Sequence, residues 1–264
     1  MRNCFRIYWL VLLLTFSCGL IGQSSALTFT TLYSFSSSGG IRPFAGLVSS
    51  GNTLYGTTIG GGTSNNGTLF KINTDGSGFT TIYNFTGRSN LQETNSDGAN
   101  PWACLILSNN TLYGTANAGG LGSGTLFAVN TDGTALTNIH SFAPIDLSLS
   151  TINSDGADPQ APLALSGNTL YGTTTWGGSS GDGVVFGVHN DGSSFSVLHQ
   201  FSKTDGAIPK TGVLLSGNVL YGTTGNGVNG TAFDGSGAVF KINTINTDCA
   251  GFTNVYAFKL SPGE

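Results

Sequence analysis

The sequence predicts an all-β fold, a β-propeller-like array of four four-stranded antiparallel blades. The tetrapeptide Leu-Tyr-Gly-Thr occurs at 54–57, 112–115, 170–173 and 220–223, with starts 58, 58 and 50 residues apart. Repeats of this length are typical of supersecondary units that stack on copies of themselves. The 41 glycines and the low charged fraction of 8% suit short strands joined by tight turns. Apolar residues fill both alternating sets of strand positions, as expected for blades covered on both faces.

The first half of each repeat predicts a hairpin. An apolar segment opened by proline, as at residues 43–48, leads into a turn such as Ser50-Gly51-Asn52 and then into the tetrapeptide. Gly and Asn tolerate positive φ, so we expect the two segments to pair as antiparallel strands. The prolines that open the other three repeats are Pro101, Pro159 and Pro209.

The second half of each repeat predicts another hairpin. After a glycine-rich stretch comes a third strand containing Phe, as at residues 68–72, followed in the first three repeats by an Asp-Gly turn such as Asp75-Gly76. Asp-Gly is a strong hairpin signal, so a fourth strand follows, as at residues 82–85. The repeat units are then 36–85, 86–142, 143–201 and 202–258.

One strand is left over at the N-terminus. Residues 28–35 match the fourth strand of a repeat, although no first three strands precede them. Four units and this extra strand exceed a closed four-bladed ring by one strand. We therefore expect an incomplete ring: a truncated longer propeller, an arc, or half of an eight-bladed dimer. A four-bladed ring with a spare strand is the alternative. Open blade edges are expected to favour self-association.

The first 26 residues have the layout of a secretory signal peptide. Arg2 and Arg6 precede an apolar run at residues 7–21, and Ser24-Ser25-Ala26 supplies small residues for cleavage. We expect a single repeat domain at 27–264, secreted or held at the cell surface. An uncleaved N-terminal anchor is the alternative.

Charge and cysteine content narrow the classes of partner. Without Arg2 and Arg6, seven Lys and Arg face thirteen Asp and Glu, which leaves about six net negative charges. Nucleic acid binding needs clustered cations, so we expect no nucleic acid partner, and no membrane contact beyond the signal peptide. Cys104 and Cys249 are the cysteines outside the leader, and the sequence leaves open whether they pair.

The repeats resemble a known tandem repeat. Gly-Asn-Thr-Leu-Tyr-Gly-Thr-Thr at 51–58, the Gly-Gly that follows, the Gly-x-x-Phe strand and the Asp-Gly turn are similar to the repeat called GloVer. The resemblance covers residues 28–258. It implies a surface or exported tandem-repeat protein of the choice-of-anchor kind, without an established activity.

The repeats differ mainly in two connections, and these should carry any binding site. The links at 86–100, 143–158 and 202–208 and the segment at 225–237 vary in length, and in an up-and-down blade both kinds of link emerge on one face. Variable loops on a rigid scaffold are where binding residues concentrate.

Two tryptophans are the aromatic candidates on this face. Trp102 aligns with Phe44, Gln160 and Lys210 at the channel end of the first strand, and Trp176 lies in a glycine-rich loop. Because one position at the end of the channel carries such different side chains, Gln160 and Lys210 are also candidate ligand contacts. A sugar ring could stack on either indole, and a tryptophan that fills a gap between blades is the alternative reading.

Recurrent aspartates complete the candidate set. Asp97, Asp155 and Asp205 stand in Asp-Gly-Ala before the blade-opening proline. They could supply oxygens to structural calcium, although each copy offers one carboxylate, and turns that fix the loop are the simpler account. We expect no cofactor. His140 and His199 occupy the aromatic position of the fourth strand and read as packed blade residues, so no catalytic base is assigned.

Two functions remain after these arguments. The first is an exported binding or structural module that takes an extracellular glycan or protein through its long loops. The second is a carbohydrate-active enzyme of propeller fold, whose carboxylates meet at the end of the channel.

Overall fold

The computed structural model describes residues 28–89, 93–145, 151–227, 236–244 and 251–258. In this part of the chain every regular element is a β-strand. The strands of the first two sheets are β1 (Val48–Ser50), β2 (Thr53–Thr58), β3 (Thr68–Asn73), β4 (Thr80–Asn84), β5 (Ile106–Ser108), β6 (Thr111–Ala116), β7 (Thr125–Asn130) and β8 (Thr137–Ser141). Those of the last two sheets are β9 (Ala164–Ser166), β10 (Thr169–Thr174), β11 (Val184–His189), β12 (Ser196–Gln200), β13 (Leu214–Ser216), β14 (Val219–Thr224), β15 (Ala238–Asn243) and β16 (Phe252–Ala257).

The strands form four separate four-stranded antiparallel sheets, each in sequence order. This confirms the prediction of one meander blade per repeat. No helix long and apolar enough to span a membrane occurs among the described residues. The predicted signal peptide at 1–26 and Cys249 lie outside them, and Cys104 forms no disulfide with any described residue.

The first strand is shorter than the sequence predicted. Pairing begins at Val48, opposite Tyr55, so residues 43–47 lie outside the sheet. Proline has no N–H to donate to a ladder. Arg42, just before Pro43, has a φ of 59°, which turns the chain immediately before the segment. The hairpin turn itself is confirmed, since Ser50 pairs with Thr53 across Gly51 and Asn52.

The glycine of the tetrapeptide makes room for a phenylalanine on the neighbouring strand. Gly114 of β6 lies directly opposite Phe127 of β7, and the same pairing recurs in the other three sheets. A Cβ built on Gly114 would come within 2.5 Å of the Phe127 ring. Phe127 is fully buried. The Leu-Tyr-Gly-Thr repeat is therefore a packing requirement of the blade.

A β-bulge recurs between the third and fourth strands. Leu69 pairs with Tyr83, but the next residue, Phe70, pairs with Thr81, which leaves Ile82 as the extra residue. The same shift occurs in the other three sheets. A bulge bends the strand and strengthens its twist. Nothing in the apolar pattern predicted it.

Successive sheets pack face to face and share their hydrophobic cores. The first junction combines Phe85 of the first repeat with Leu105 and Phe127 of the second, and equivalent clusters join the second sheet to the third and the third to the fourth. The innermost strands also meet, since β1 contacts β5 and β9 contacts β13. In the described residues no core cluster joins the fourth sheet to the first, which agrees with the expected incomplete ring.

The expected N-terminal strand at 28–35 requires a correction, because these residues form no strand. A fourth strand needs a third strand to pair with, and the described part of the chain contains no such strand beside them. The side chains of Tyr33 and Phe35 still take the positions of a preceding blade. Tyr33 stacks on Phe79 at 3.6 Å, as His140 stacks on Phe195 at 3.8 Å, and Phe35 packs edge-on against Phe70 at 5.0 Å.

Candidate functional site

The two variable connections of each repeat lie on one face of the array, which we call the long-loop face. Backbone bridges tie the link from the previous sheet to the loop between second and third strands. In the third repeat the Ala157 N–H donates to the Trp176 carbonyl at 2.8 Å, and the Trp176 N–H donates back at 3.0 Å. The four bridges are Ile41–Gly60, Ala99–Ala118, Ala157–Trp176 and Ala207–Asn226. The predicted common face is therefore present.

Asp97 holds this face together from within. Its carboxylate accepts a hydrogen bond from the Tyr83 hydroxyl at 2.8 Å and another from the Thr86 N–H at 2.9 Å. Burial raises the pKa of Tyr83, and the hydrogen bond to the Asp97 carboxylate raises it further. Asp97 is itself buried, at 2% exposed. Its place is structural in this arrangement, since it fixes the link that leads to the next sheet.

Asp155 and Asp205 repeat the arrangement with histidines. His140 Nε2 lies 2.9 Å from Asp155 Oδ2, and His199 Nε2 lies 3.1 Å from Asp205 Oδ2, with the ring N–H as donor in each case. Burial alone would raise the pKa of Asp205, but hydrogen bonds from His199 and from the Ser202 N–H hold that pKa below its ordinary value. Both histidines also stack on a phenylalanine of the next sheet, which confirms that they are packed blade residues.

The predicted channel-end residues occupy one aligned position in successive repeats. Trp102 is 39% exposed and meets Phe44 edge to face, with ring centroids 5.8 Å apart. Gln160 donates to Asp158 Oδ2 at 2.6 Å. Burial raises the pKa of Asp158, while hydrogen bonds from Gln160 and Asn117 and the charge of Lys210 act in the opposite direction. The channel-end positions therefore form an aromatic pair, Trp102 with Phe44, and a polar cluster around Asp158.

Trp176 lines a cavity on the long-loop face between the third and fourth repeats. We call it the Trp176 cavity; its volume is about 350 Å³. The third repeat contributes Ser180, Gly181 and Asp182 beside Trp176, and Thr151 comes from the link before it. The remaining lining residues are Lys203, Ala207, Ile208 and Asn226. One indole, one carboxylate, one ammonium group and one amide thus share a single concave site.

Asp182 is the unusual member of this cavity. Its residue surface is only 8% exposed, and burial raises the pKa of its carboxyl. The nearby charge of Lys203 lowers that pKa and the charge of Asp205 raises it, but no hydrogen bond to the carboxylate occurs among the described residues. The site therefore offers unused hydrogen-bonding capacity beside an aromatic face.

A second cavity at the corresponding place after the first sheet has different chemistry. It measures about 300 Å³ and is lined by Ser64, Asn66, Gly87, Arg88, Ser89 and Glu93. Arg88 and Glu93 pair at 2.9 Å, so its charges are already matched. None of the lining residues that the structure describes is aromatic. The combination found around Trp176 is thus not a general product of the repeat.

The repeats match a family model at the sequence level. The model described as the Gloeobacter/Verrucomicrobia repeat matches residues 89–264, which is well over half of the chain. The chain belongs to the Gloeobacter/Verrucomicrobia repeat family. This agrees with the resemblance carried by the tetrapeptide and the Asp-Gly turns. Among curated proteins, no sequence matches.

Several solved structures resemble this Gloeobacter/Verrucomicrobia repeat protein at low identity. A chain of the nidogen/laminin complex aligns with a TM-score of 0.45 at 12% identity, covering 79% of this chain and 76% of that one. The putative TolB of Agrobacterium tumefaciens gives 0.45 at 11%, with coverages of 78% and 62%. The GH74 enzyme of Niastella koreensis gives 0.47 at 19%, with 77% and 28%. The chain spans less than two thirds of the last two proteins. The propeller-like fold rests on the sheets themselves.

Sequence reasoning missed Asp182 within the Gloeobacter/Verrucomicrobia repeat. Asp182 stands just before the glycine that opens the third strand, where the other repeats have Asn66, Ser123 and Ser236. The backbone carbonyl at this position accepts a hydrogen bond from the next repeat, as from the Ile208 N–H at 2.9 Å. A lone carboxylate among small polar residues was the available signal. Among the described residues no group of three His, Cys, Asp or Glu side chains could hold a metal ion.

Proposed function

We propose that the protein is an exported binding module that takes a glycan in the Trp176 cavity. The observation that carries the proposal is the indole of Trp176 in one cavity with the buried carboxylate of Asp182, which accepts no hydrogen bond among the described residues. Small-molecule sites are concave and combine apolar walls with a few convergent polar groups. A volume of about 350 Å³ suits one or two sugar rings.

The lining chemistry favours a sugar over a purely apolar ligand. The C–H face of a pyranose can lie on the Trp176 indole, as apolar surfaces do on aromatic rings. Its hydroxyls can then donate to the Asp182 carboxylate and accept from Lys203 or from the Asn226 amide. Hydrogen bonds with a charged partner are about twice as strong as neutral ones, so Asp182 would fix the orientation of the ring.

The same residues favour binding over hydrolysis. Glycoside cleavage ordinarily uses two carboxyl groups that flank the scissile bond. Asp182 is the one carboxylate among the lining residues described for the cavity. Asp97, Asp155 and Asp205, the carboxylates of the enzyme hypothesis, each accept hydrogen bonds that fix a link. The proposal therefore assigns Trp176 the main contact and Asp182 the orienting contact.

Isothermal titration with cello-, xylo-, chito- and maltooligosaccharides tests the proposal. Trp176→Ala should weaken the binding of the best of these ligands by about tenfold or more, since tryptophans at binding sites are typical hot spots. Trp102→Ala is the matched control and should change the dissociation constant by less than about twofold, because it lies outside the cavity. Unchanged binding by Trp176→Ala, or no binding of any oligosaccharide, would refute the proposal.

Export is part of this proposal and has its own test. The layout of residues 1–26 supports a signal peptide that is removed during secretion. Amino-terminal sequencing of the secreted chain should begin at Leu27. A chain that keeps its first 26 residues would contradict that processing.

A further inference from the structure

Two faces of the array expose side chains that the interior junctions bury. Phe258 on the fourth sheet is 50% exposed, while its equivalents in the first three repeats are 0% exposed. Those equivalents are Phe85, Phe142 and Phe201. Leu47 on the first sheet is 52% exposed, while its equivalents in the next three repeats are 5–7% exposed. Those are Leu105, Leu163 and Val213.

The exposed face of the fourth sheet already has the form of a junction. It presents Leu214, Tyr221, Tyr256 and Phe258, and we call it the tail face. Tyr256 and Phe258 meet edge to face at 5.0 Å, as His199 and Phe201 do at 4.9 Å in the junction before it. The side chains are therefore arranged for packing against a following blade.

The exposed face of the first sheet offers the complementary surface. An apolar cavity of about 270 Å³ lies there. Its walls include Pro43, Ala45, Leu47, Phe70 and Phe79, and we call the surface formed by these five residues the head face. Residues 32–35 cover only its outer part. Tyr33 and Phe35, which also line the cavity, lie against Phe79 and Phe70. Leu47 stays 52% exposed, and no described residue supplies an inner strand that covers it.

We propose that the tail face of one copy docks on the head face of a second copy, so that the repeat junction continues between chains. Tyr256 and Phe258 of the first copy take the places that Tyr33 and Phe35 fill in the second. Both segments read Tyr-x-Phe, and both pairs have the same edge-to-face geometry, at 5.0 and 5.1 Å. The exchange therefore restores the aromatic contacts that it removes.

The favourable free energy of docking comes from the inner strands. Docking would bring Leu214 and Tyr221 of one copy over Leu47 of the other, and all three are exposed in the single chain. Burial of such apolar surface favours association at about 25 cal/mol per Å². Residues 28–35 pair in no sheet, so their displacement breaks no strand ladder. A second copy is the fitting occupant, because the chain builds this same junction three times within itself.

A head-to-tail contact of this kind is heterologous, so it closes into a ring or grows into longer chains. Two copies would supply eight blades, and we expect closure at that number. Sedimentation equilibrium of the secreted chain should give twice the mass of one chain. The double variant Tyr256→Ser with Phe258→Ser should give the mass of one chain, as should Leu47→Ser. Leu121→Ser, an equally exposed leucine on a loop, is the control and should remain paired.

Mixing separates head-to-tail docking from a symmetric contact. The tail variant keeps an intact head face and the Leu47→Ser variant keeps an intact tail face, so an equal mixture should form a pair of one copy each. Tyr33→Ser with Phe35→Ser removes the competing segment and should tighten association by about three- to tenfold, the range expected for an aromatic pair. A single-chain mass at the highest soluble concentration, or pairing that survives the tail variant, would overturn the proposal.

Discussion

Equivalent phenylalanines in two repeats should differ sharply in what their removal costs. Phe142 lies in the second junction with 0% exposure, while Phe258 holds the same repeat position on the tail face with 50% exposure. Phe142 packs against Phe186 at 5.5 Å and His140 at 4.9 Å. Phe142→Ala should therefore destabilise the chain by about 3–5 kcal/mol, from lost transfer energy and a residual cavity. Phe258→Ala should cost about 1 kcal/mol or less, because half of the ring is already in water and no closed cavity forms.

Urea unfolding followed by circular dichroism measures this difference. It should be carried out at concentrations where the chain sediments as a single copy, so that association does not contribute. A constant m-value would show that the change lies in stability and not in the extent of unfolding. Equal losses for Phe142→Ala and Phe258→Ala would refute the reasoning, because they would require a neighbour over the fourth sheet within the single chain.

Three further predictions follow from the blade and its loops. Gly172→Ala should lower the free energy of unfolding in urea by about 1–3 kcal/mol, since its Cβ would meet the opposing phenylalanine ring at 2.5 Å. Gly167→Asn introduces the residue that the second repeat has at this position, and it should change the free energy of unfolding by no more than about 0.5 kcal/mol. Asp155→Ala should lower stability by about 1.5–3 kcal/mol, because it leaves a histidine N–H and a backbone N–H without a hydrogen-bond acceptor. Asp132→Ala, in an exposed turn, should lower stability less. An equal loss for both variants would count against the structural role of Asp155. Burial raises the pKa of Asp182 above 3.8, so as the pH is lowered the carboxylate should be protonated, and glycan affinity lost, at a higher pH than for an exposed aspartate. The free energy of unfolding should rise as the pH falls through the same pKa, because the folded state binds the proton more tightly than the unfolded state. Asp182→Asn should flatten both pH profiles, and unchanged profiles would contradict the assignment.

The four-stranded sheets and the order of their strands could be predicted from the sequence because each strand pairs with its neighbours along the chain. The tetrapeptide and the Asp-Gly turns indicate strands that pair with the next strand along the chain. The strands that are apolar on both faces indicate a sheet packed between two neighbouring sheets. The third strand was predicted at 68–72 and is observed at Thr68–Asn73. The common loop face was predicted from meander topology alone, and the bridge between Ala157 and Trp176 confirms it.

The features that the sequence did not predict depend on how segments distant in sequence come together and on backbone conformations that the residue types do not favour. The bulge at Ile82 appears only when the fourth strand is laid on the third, since the apolar pattern is the same with or without it. The shortened first strand follows from the turn at Arg42, a residue with no preference for positive φ. The sequence did not indicate Asp182 as a binding residue, because that role depends on its sharing a cavity with Trp176 and Lys203, which lie in other segments of the chain.

The functional account is tested most directly by fluorescence from Trp176 alone. Trp9 lies in the proposed signal peptide, so in the processed chain the single substitution Trp102→Phe leaves Trp176 as the sole tryptophan emitter. Titration with the oligosaccharide that binds best in calorimetry should shift its emission in a saturable manner, with the same midpoint as the heat signal. Calorimetric binding with no change in the Trp176 emission would place the ligand elsewhere and contradict the account.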